Sequence, residues 1–312
     1  MTYLITGGAG FIGSNLCLHF INQGHEIIII DDLSAGRMSN LNDSEDGIIF
    51  FKEKIENFDF KKIKNVHAVI HLAAQASVPL SIVDFHNSSS SNLLGTISII
   101  DFCSKNNIPL IYASSSAIYG DLEMGDDKKD YIDLISPYAT DKFVMELYAM
   151  TAFKNYQLSS IGLRFFNVYG PRQDPSSPYS GVISIFSERI LKRENIVING
   201  GYQTRDFIYV NDVIAVICRA IELVSKKTVC DISNVLTGKS VTIDYLADQL
   251  MEVIGIKVNK IYEDLSLEDP KKSDGTVENM SKLLLTDIGQ FTKLKKGLEE
   301  TVQYIKNKEL NL

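Results

Sequence analysis

A glycine-rich turn near the start of the chain constrains the fold more than any other segment. Residues 8–13 have the spacing GxGxxG, and one further glycine precedes them. The turn follows a short apolar run at residues 3–6 and leads into a helical pattern at residues 11–23, which is the context that a dinucleotide-binding βαβ unit requires. Its glycines permit a close approach to a pyrophosphate, and the helix N-terminus supplies N–H donors. The expected cofactor contacts in this turn are Gly7, Gly10, Phe11, Ile12 and Gly13.

Short apolar runs alternate with helical patterns through the first half of the chain. The predicted strands lie at residues 3–6, 26–30, 68–72, 110–113 and 160–164, and the predicted helices at 11–23, 92–105, 137–155 and 213–224. Continuous apolar strands separated by helices imply a parallel sheet covered on both faces. A serine run at residues 88–91 is expected to be a helix entry.

The clean alternation fades after a proline-containing loop at residues 170–181, although residues 203–210 still look extended. We therefore expect an α/β fold, with a Rossmann-type doubly wound parallel sheet and a smaller mixed α/β lobe. The predicted sheet domain comprises residues 1–166 and 208–233, and the predicted lobe comprises residues 167–207 and 234–312.

Composition excludes several classes of protein. The chain has 312 residues, 45% of them hydrophobic, and a net charge of −8, which argues against a broad nucleic-acid or anionic-membrane surface. No apolar stretch approaches the ~20 residues that span a bilayer, and the glycine turn follows the first strand too closely for a signal peptide. The four cysteines are scattered, so we expect reduced structural thiols, no metal site and a cytoplasmic protein.

Asp31 ends the second predicted strand, about 20 residues after the glycine turn, where a carboxylate binds the adenosine ribose hydroxyls. An acid at this position repels a 2′-phosphate, so NAD is favoured over NADP. Arg37 offers the alternative, because a nearby guanidinium can offset the acid and accept NADP.

Tyr138 and Lys142 lie four residues apart, directly after Pro137, which suits the first turn of a helix. A lysine ammonium beside a phenol favours the phenolate, which can act as a base near neutral pH. With 14 tyrosines in the chain, chance also produces such pairs. The second pair, Tyr304 and Lys308, is interpreted as a solvated face of the last helix.

Three serines, at residues 114–116, follow a buried strand. In a doubly wound sheet, ligands sit beyond the carboxyl ends of the strands, so the glycine turn, Asp31 and these hydroxyls would meet at one edge. The Tyr138 helix follows some twenty residues later. The joint pattern indicates proton transfer at a hydroxyl beside a nicotinamide cofactor.

With these motifs, the chain resembles the extended short-chain dehydrogenase/reductases, and within them the nucleotide-sugar epimerases and dehydratases. The matching segments are residues 6–13, 31–34, 71–74, 92–96, 114–120, 138–142, 163–175 and 205–213. The segment at residues 170–175, with Tyr179 and Val182 after it, looks most like the UDP-N-acetylhexosamine and UDP-hexose 4-epimerases.

The resemblance implies a role for each matching residue. Tyr138 is the base and acid on the sugar hydroxyl, Lys142 holds the nicotinamide ribose and lowers the pKa of the tyrosine, and Ser115 binds the substrate oxygen, with Ser116 as a neighbour that could share its role. The implied NAD contacts beyond the glycine turn are Asp31, Asp32, Ser34, Leu72, Ala73, Ala74, Asn92, Ser114, Tyr138, Lys142 and Phe166. The implied substrate contacts are Ser115, Tyr138, Asn167, Arg172, Arg205, Lys271 and Asp274.

Two positions depart from the family pattern. The later arginine that contacts the nucleotide is replaced by Lys271, and the stretch after it is shorter than in the family. The position that separates plain from N-acetylated sugars therefore falls on either Thr276 or Glu278. His71 is interpreted as a packed histidine at a strand end.

The leading interpretation is an NAD-dependent UDP-sugar 4-epimerase that works through a transient 4-keto sugar. A 4,6-dehydratase needs an acid and a base beside the catalytic hydroxyl. In the dehydratases that the chain resembles, an Asp-Glu pair follows that hydroxyl, where this chain has Ser116 and Ala117. UDP-glucuronate 4-epimerisation or decarboxylation and epimerisation at another carbon stay open, with Arg172 as a candidate partner for a carboxylate. The alternative from another class is a non-catalytic NAD-binding regulator.

The resemblance also implies a homodimer, formed through a four-helix bundle of the helices at 92–105 and 137–155.

Overall fold

The computed structural model describes residues 1–41, 47–129, 131–175, 181–265 and 269–310. These residues contain twelve β-strands. The strands are β1 (Thr2–Thr6), β2 (Glu26–Ile30), β3 (Ile48–Phe51), β4 (Ala68–His71), β5 (Leu110–Ser115), β6 (Ser160–Phe165), β7 (Asn167–Tyr169), β8 (Ile196–Asn199), β9 (Thr204–Tyr209), β10 (Cys230–Val235), β11 (Ser240–Thr242) and β12 (Lys260–Glu263). Seven of them form one sheet in the order β3-β2-β1-β4-β5-β6-β10. Every pairing in this sheet is parallel, so the carboxyl ends of its strands share one edge.

Nine α-helices lie among the described residues. They are α1 (Phe11–Asn22), α2 (Val78–Val83), α3 (Phe85–Asn106), α4 (Pro137–Tyr156), α5 (Val182–Leu191), α6 (Val210–Lys226), α7 (Ile243–Ile254), α8 (Glu278–Lys282) and α9 (Leu294–Leu310). Apolar side chains of α1 and α6 cover one face of the large sheet, and those of α3 and α4 cover the other. The predicted doubly wound α/β fold is therefore confirmed.

The start of α3 corrects one predicted boundary. The helix begins at Phe85, seven residues before the predicted start, so the serine run lies inside the helix instead of at its entry. Serine is a weak helix former, but the fold overrides this preference because the Ser88 hydroxyl donates a hydrogen bond to Gln75 Oε1 at 2.9 Å.

The smaller lobe is built from two short sheets. Strands β11, β9 and β7 form a mixed sheet, and β12 pairs with β8 in parallel. Helices α5, α7 and α9 pack on one another beside them. Strand β9, which contains most of the predicted extended segment, ends at Tyr209, and α6 begins at Val210, so the chain returns directly from the lobe to the layer covering the large sheet. Tyr179 lies outside the described residues.

A buried ion pair joins α4 to strand β6 of the large sheet. Arg164 Nη2 and Nε donate to the Glu146 carboxylate at 2.6 and 2.9 Å, and the two side chains are 6% and 1% exposed. The Ser114 hydroxyl donates to the same carboxylate at 2.5 Å. Two neighbouring strands, β5 and β6, are thus tied to one helix by charge-assisted hydrogen bonds.

The four cysteines form no disulfide, and Cys17 and Cys103 are buried in the core. No helix that the structure describes combines the length and the apolar character needed to cross a membrane.

We expect Arg164→Met to lower the free energy of unfolding by about 3–5 kcal/mol, because it leaves the Glu146 carboxylate buried without a partner. The double variant Arg164→Met/Glu146→Gln should regain part of this loss. Urea denaturation followed by circular dichroism measures both. Lys105→Met is the matched control, since the Lys105–Asp101 pair is exposed on the surface and should contribute less than about 1 kcal/mol. A change for Arg164→Met as small as that of the control would contradict the prediction.

Candidate active site

A cavity of about 490 Å³, called here the first cavity, opens at the carboxyl edge of the large sheet. Most of the predicted cofactor contacts line it: Gly7, Gly10, Phe11, Ile12, Gly13, Asp31, Asp32, Ser34, Leu72, Ala73 and Ala74. The sheet brings them together because β1, β2 and β4 are neighbours and all end at this edge.

The glycine turn leaves no room for side chains. Gly7 has φ +70°, and a Cβ atom added to Gly13 would lie 2.1 Å from the carbonyl oxygen of Gly7. Helix α1 begins after Gly10 with no side-chain cap and no acidic residue in its first turn. An uncapped helix N-terminus against a turn without side chains fits the pyrophosphate of a dinucleotide.

Asp31 anchors the turn to the loop after β2. Its Oδ2 accepts a hydrogen bond from the Ala9 amide at 2.9 Å, and its Oδ1 accepts one from the Leu33 amide at 2.8 Å. Burial raises the pKa of Asp31, and these two hydrogen bonds oppose that shift. The Asp31 carboxylate therefore lines the first cavity and also holds the glycine turn against the loop after β2.

A second cavity of about 260 Å³ adjoins the first, and Ala76 lines both. The second cavity is lined by the predicted residues Ser115, Ser116, Tyr138, Phe166, Asn167, Arg205 and Asp274. Side chains from β5, from α4 and from the start of the smaller lobe thus converge on one space beside the first cavity.

Tyr138 and Lys142 occupy one face of α4, as predicted, and both are buried. Ser136 caps this helix by accepting a hydrogen bond from the Ala139 amide at 3.1 Å, and Pro137 occupies its first turn. Lys142 Nζ lies 5.7 Å from the centroid of the Tyr138 ring and donates to the Ala113 carbonyl at 2.7 Å.

Burial shifts the pKa of both members of this pair. Burial raises the pKa of Tyr138, while a hydrogen bond with the Ser115 hydroxyl lowers it. Burial also lowers the pKa of Lys142 to about 8, although the carboxylates of Asp141 and Glu146 oppose this. The lowering of the Tyr138 pKa by Lys142 therefore stays a prediction, and desolvation of the phenol opposes it.

Three predicted cofactor residues line neither cavity and have other partners: Lys142, which donates to the Ala113 carbonyl, Ser114 and Asn92. The Ser114 hydroxyl donates to Glu146, since successive side chains of β5 point to opposite faces of the sheet and Ser115, not Ser114, faces the second cavity. Asn92 accepts from the Gln75 amide at 2.8 Å and donates to Asp141 at 3.1 Å. Neither Ser114 nor Asn92 lines either cavity, so Asn92 supports the Gln75 segment of the wall instead of forming it.

His71 is packed at a strand end, as the sequence indicated. Its ring nitrogens lie 2.7 Å from the Thr6 hydroxyl and 3.1 Å from the Thr96 hydroxyl. Burial, together with the nearby Lys142 charge, lowers the pKa of His71 to about 3. A neutral imidazole with both nitrogens engaged has a structural role here.

Two predicted substrate contacts lie elsewhere. Arg172 lines the first cavity and not the second, and its guanidinium donates to the Asn40 carbonyl and to Asn15 Oδ1, each at 3.2 Å. Lys271 is exposed and its carbonyl accepts from the Thr204 amide, while the next residue, Lys272, lines the second cavity. Sequence matching placed Lys271 one residue away from the lysine that reaches this wall.

The two candidate gate positions differ in their surroundings. The Thr276 amide donates to the Gly125 carbonyl at 2.9 Å, beside Gly275, where an added Cβ would lie 2.5 Å from the Phe166 ring. Glu278 begins α8, is solvent-exposed and pairs with Lys128. Neither residue lines the second cavity, but Thr276 is the one whose segment backs its Phe166 wall.

Several residues of the site escaped the sequence analysis. Gln75 lines the first cavity, and Asp269 lines the second, where it forms an ion pair with Arg205. Glu146 lies one helical turn after Lys142, and that spacing was its only signal. Among the described residues, no group of three or more His, Cys, Asp and Glu side chains could hold a metal ion.

The pair Tyr304 and Lys308 lies on α9, and both residues are half-buried. Neither belongs to the first or the second cavity. Tyr138, in contrast, lines the second cavity, and this position separates the two pairs.

Comparison with known proteins gives consistent matches. Residues 3–235 match the family model described as the NAD dependent epimerase/dehydratase family. A putative UDP-glucose 4-epimerase of Methanocaldococcus jannaschii is 34% identical over 319 residues, which cover 97% of this chain and 98% of that protein.

Solved structures agree over nearly the whole length. The UDP-N-acetylglucosamine 4-epimerase of Methanobrevibacter ruminantium, in complex with UDP-N-acetylmuramic acid, has a TM-score of 0.91 at 36% identity and covers 98% of each chain. The UDP-glucuronic acid 4-epimerase of Bacillus cereus, in complex with UDP-glucuronic acid and NAD, has a TM-score of 0.90 at 28% identity and covers 98% of this chain and 99% of that one.

The hydrogen bond between Ser115 and Tyr138 generates a prediction for the pH dependence of turnover. Ser115→Ala removes a contact that lowers the pKa of Tyr138, so the rise of kcat/KM with pH should move to higher pH. At pH 7 we expect a loss of about 10²-fold, with partial recovery in alkaline buffer. Ser116→Ala should cause a smaller loss and no shift. An unshifted profile for Ser115→Ala, or an equal effect of the two variants, would contradict the assignment of Ser115.

Proposed function

Because the chain belongs to the NAD dependent epimerase/dehydratase family, we propose that it is a UDP-sugar 4-epimerase acting on UDP-N-acetylglucosamine and UDP-N-acetylgalactosamine, UDP-glucose and UDP-galactose, or both pairs. The observation that carries the proposal is the buried Tyr138 phenol, which lines the second cavity together with Ser115 and Arg205, beside the first cavity. NAD, the cofactor of this family, would supply the hydride acceptor for C4 of the sugar when it is bound in the first cavity.

The residues of the chain move one proton and hold the sugar. Tyr138 takes the proton of the C4 hydroxyl as the hydride leaves, and returns it when the hydride comes back to the opposite face of the 4-keto sugar. The Ser115 hydroxyl forms hydrogen bonds with both the C4 oxygen and the Tyr138 phenol, and so bridges them. The reaction produces no net oxidation, so one bound NAD serves repeated turnovers.

Nucleotide recognition is assigned to the side of the second cavity formed by the smaller lobe. Arg205 is 8% exposed and its guanidinium faces this cavity, where a buried cation suits a diphosphate. Asn167 lies beside it, with its Nδ2 held by the Asp206 carbonyl at 3.0 Å, and Lys272 adds a second cation to the wall. Together these groups would hold the UDP part while the sugar turns over at Tyr138.

The acidic groups of the second cavity argue against a dehydratase. Elimination needs an unengaged acid and base beside the catalytic hydroxyl. Asp269 pairs with Arg205, and Asp274 accepts a hydrogen bond from the Ser240 hydroxyl, so the two acidic side chains of this described wall are engaged. Ser116 and Ala117 occupy the positions nearest to Ser115.

UDP-glucuronate 4-epimerisation is the second candidate. The Bacillus cereus structure binds UDP-glucuronic acid, and this chain places Lys272 on the wall of the second cavity, where an ammonium could pair with the carboxylate of a uronic acid. Arg172, which the sequence offered for this role, lies on the first cavity.

A second copy of the chain is the proposed partner. Helices α3 and α4 pack side by side, and each buries one face against the large sheet. Their outer faces expose Leu94 and Ile97 on α3 and Leu147 and Tyr148 on α4, between 38% and 51% of each residue. Apolar side chains along two adjacent helices suit a four-helix bundle with a second copy. The domain boundaries and the cytoplasmic location stay predictions.

We expect the purified protein to interconvert UDP-N-acetylglucosamine and UDP-N-acetylgalactosamine without added NAD. A panel of UDP-glucose, UDP-N-acetylglucosamine and UDP-glucuronate, followed by NMR of the sugar protons, measures the outcome. Tyr138→Phe is the matched control, because it keeps the ring and should retain NAD while turnover falls by at least about 10²-fold. Protein that contains NAD and interconverts none of the three sugars would contradict the proposed function.

We expect the chain to be a dimer in solution and the double variant Leu94→Glu/Ile97→Glu to be a monomer, because charged side chains are disfavoured in the core of an interface. Analytical ultracentrifugation gives the mass of both. Ile49→Glu is the matched control, since Ile49 is 57% exposed on the edge strand β3, away from these helices. Dissociation by the control, or a double variant that stays dimeric, would contradict the proposed interface.

A further inference from the structure

An ion pair closes one side of the first cavity. Arg37, in the loop after β2, contacts Asp174, in the segment after β7, through Nη2 and Oδ2. Their side chains are 50% and 17% exposed, and both residues line the cavity. The pair thus lies in the wall of the nucleotide site and joins two segments that are distant in the sequence.

Arg37 is anchored close to Asp31, the carboxylate assigned to the adenosine ribose. The Arg37 amide donates to the Ala9 carbonyl at 3.1 Å, and the Ala9 amide donates to Asp31 at 2.9 Å. Ala9, in the glycine turn, therefore holds both the Asp31 carboxylate and the backbone of Arg37. A guanidinium close to that acid is the group by which related folds accept a 2′-phosphate.

Because the wall of the first cavity is mainly acidic, binding of a 2′-phosphate there would depend on the Arg37 guanidinium. Among the described residues, six acidic side chains line the first cavity: Asp31, Asp32, Glu53, Glu56, Asp84 and Asp174. The basic ones are Arg37, Lys54 and Arg172, so three positive charges face six negative ones. A 2′-phosphate would add further negative charge to this wall, and an arginine near Asp31 is the means of offsetting it.

We propose that Asp174 is a specificity-determining residue for the cofactor. By pairing with Arg37, it neutralises the cation that would otherwise accept a 2′-phosphate, and it adds its own negative charge to the wall. Asp31 disfavours NADP directly, and Asp174 disfavours it by occupying the compensating arginine. The selectivity for NAD thus depends on two carboxylates that come from segments remote in the sequence.

The test compares the binding of NADH and NADPH to protein from which resident nucleotide has been removed, by the fluorescence of the nicotinamide. Asp174→Asn keeps the size of the side chain and removes its charge. We expect its Kd for NADPH to fall by at least about tenfold while the Kd for NADH changes less than about threefold. The gain should shrink at high salt, because the new contact is between exposed charges.

Two controls separate selectivity from a structural role. Arg37→Met/Asp174→Asn should lose the gain in NADPH binding, since the cation that accepts the phosphate is gone. Asp101→Asn, which alters an exposed ion pair on α3, should bind both nucleotides like the unaltered protein. An unchanged ratio of the two Kd values in Asp174→Asn, an equal loss of both nucleotides, or a gain that persists without Arg37 would overturn the proposal.

A second measurement needs no removal of nucleotide. The nucleotides released by acid from freshly purified protein are separated and quantified. We expect NAD alone from the unaltered protein and a measurable fraction of NADP from Asp174→Asn. Release of NAD alone from Asp174→Asn, from cells that contain both nucleotides, would also overturn the proposal.

Discussion

The buried contact between Glu146 and Arg164 supports most of the candidate site. Glu146 lies on the helix that carries Tyr138 and Lys142, and its carboxylate holds Arg164 of β6 and Ser114 of β5. Two charges this far from water are stabilising only as a pair with their hydrogen bonds satisfied. Helix α4 and strand β5 are therefore fixed relative to each other, which places the Tyr138 phenol beside the Ser115 hydroxyl.

The same network continues into the smaller lobe. Arg164 Nη1 donates to the Tyr119 hydroxyl at 2.8 Å, and that hydroxyl donates to Asn234 Oδ1 at 2.7 Å. Asn234 Nδ2 in turn donates to the carbonyls of Gly125 and Thr276, at 3.1 and 3.2 Å. A continuous chain of buried polar groups thus connects the helix of the candidate base to the segment that backs Phe166. Satisfied buried networks of this kind specify one arrangement, because each unpaired member would carry a desolvation cost.

Arginine–aspartate pairs recur in the two cavities. Arg205 pairs with Asp269 in the second cavity, and Arg37 pairs with Asp174 in the first. Each arginine faces a space suited to a phosphate-bearing ligand, and each aspartate comes from a segment remote in the sequence. In the second cavity a substrate diphosphate would compete with the aspartate for the guanidinium, whereas in the first cavity the aspartate is proposed to keep the guanidinium from a phosphate. Electrostatic selection in this protein therefore depends on which anion each arginine meets.

The sequence by itself determined the alternation of parallel strands with helices, the glycine turn, Asp31 at the end of β2, and the shared helical face of Tyr138 and Lys142. Each of these follows from a hydrophobic period or from residues that are close together in the sequence. The tertiary structure alone decided which serine of β5 faces the cavity, that Asn92 supports a wall, that Arg172 belongs to the first cavity, and that burial raises the pKa of Tyr138. These outcomes depend on the face of a strand, on desolvation and on partners far away in the chain, such as Asp174 for Arg37. No local pattern encodes such partners, since they meet only when the sheet and the smaller lobe have packed together.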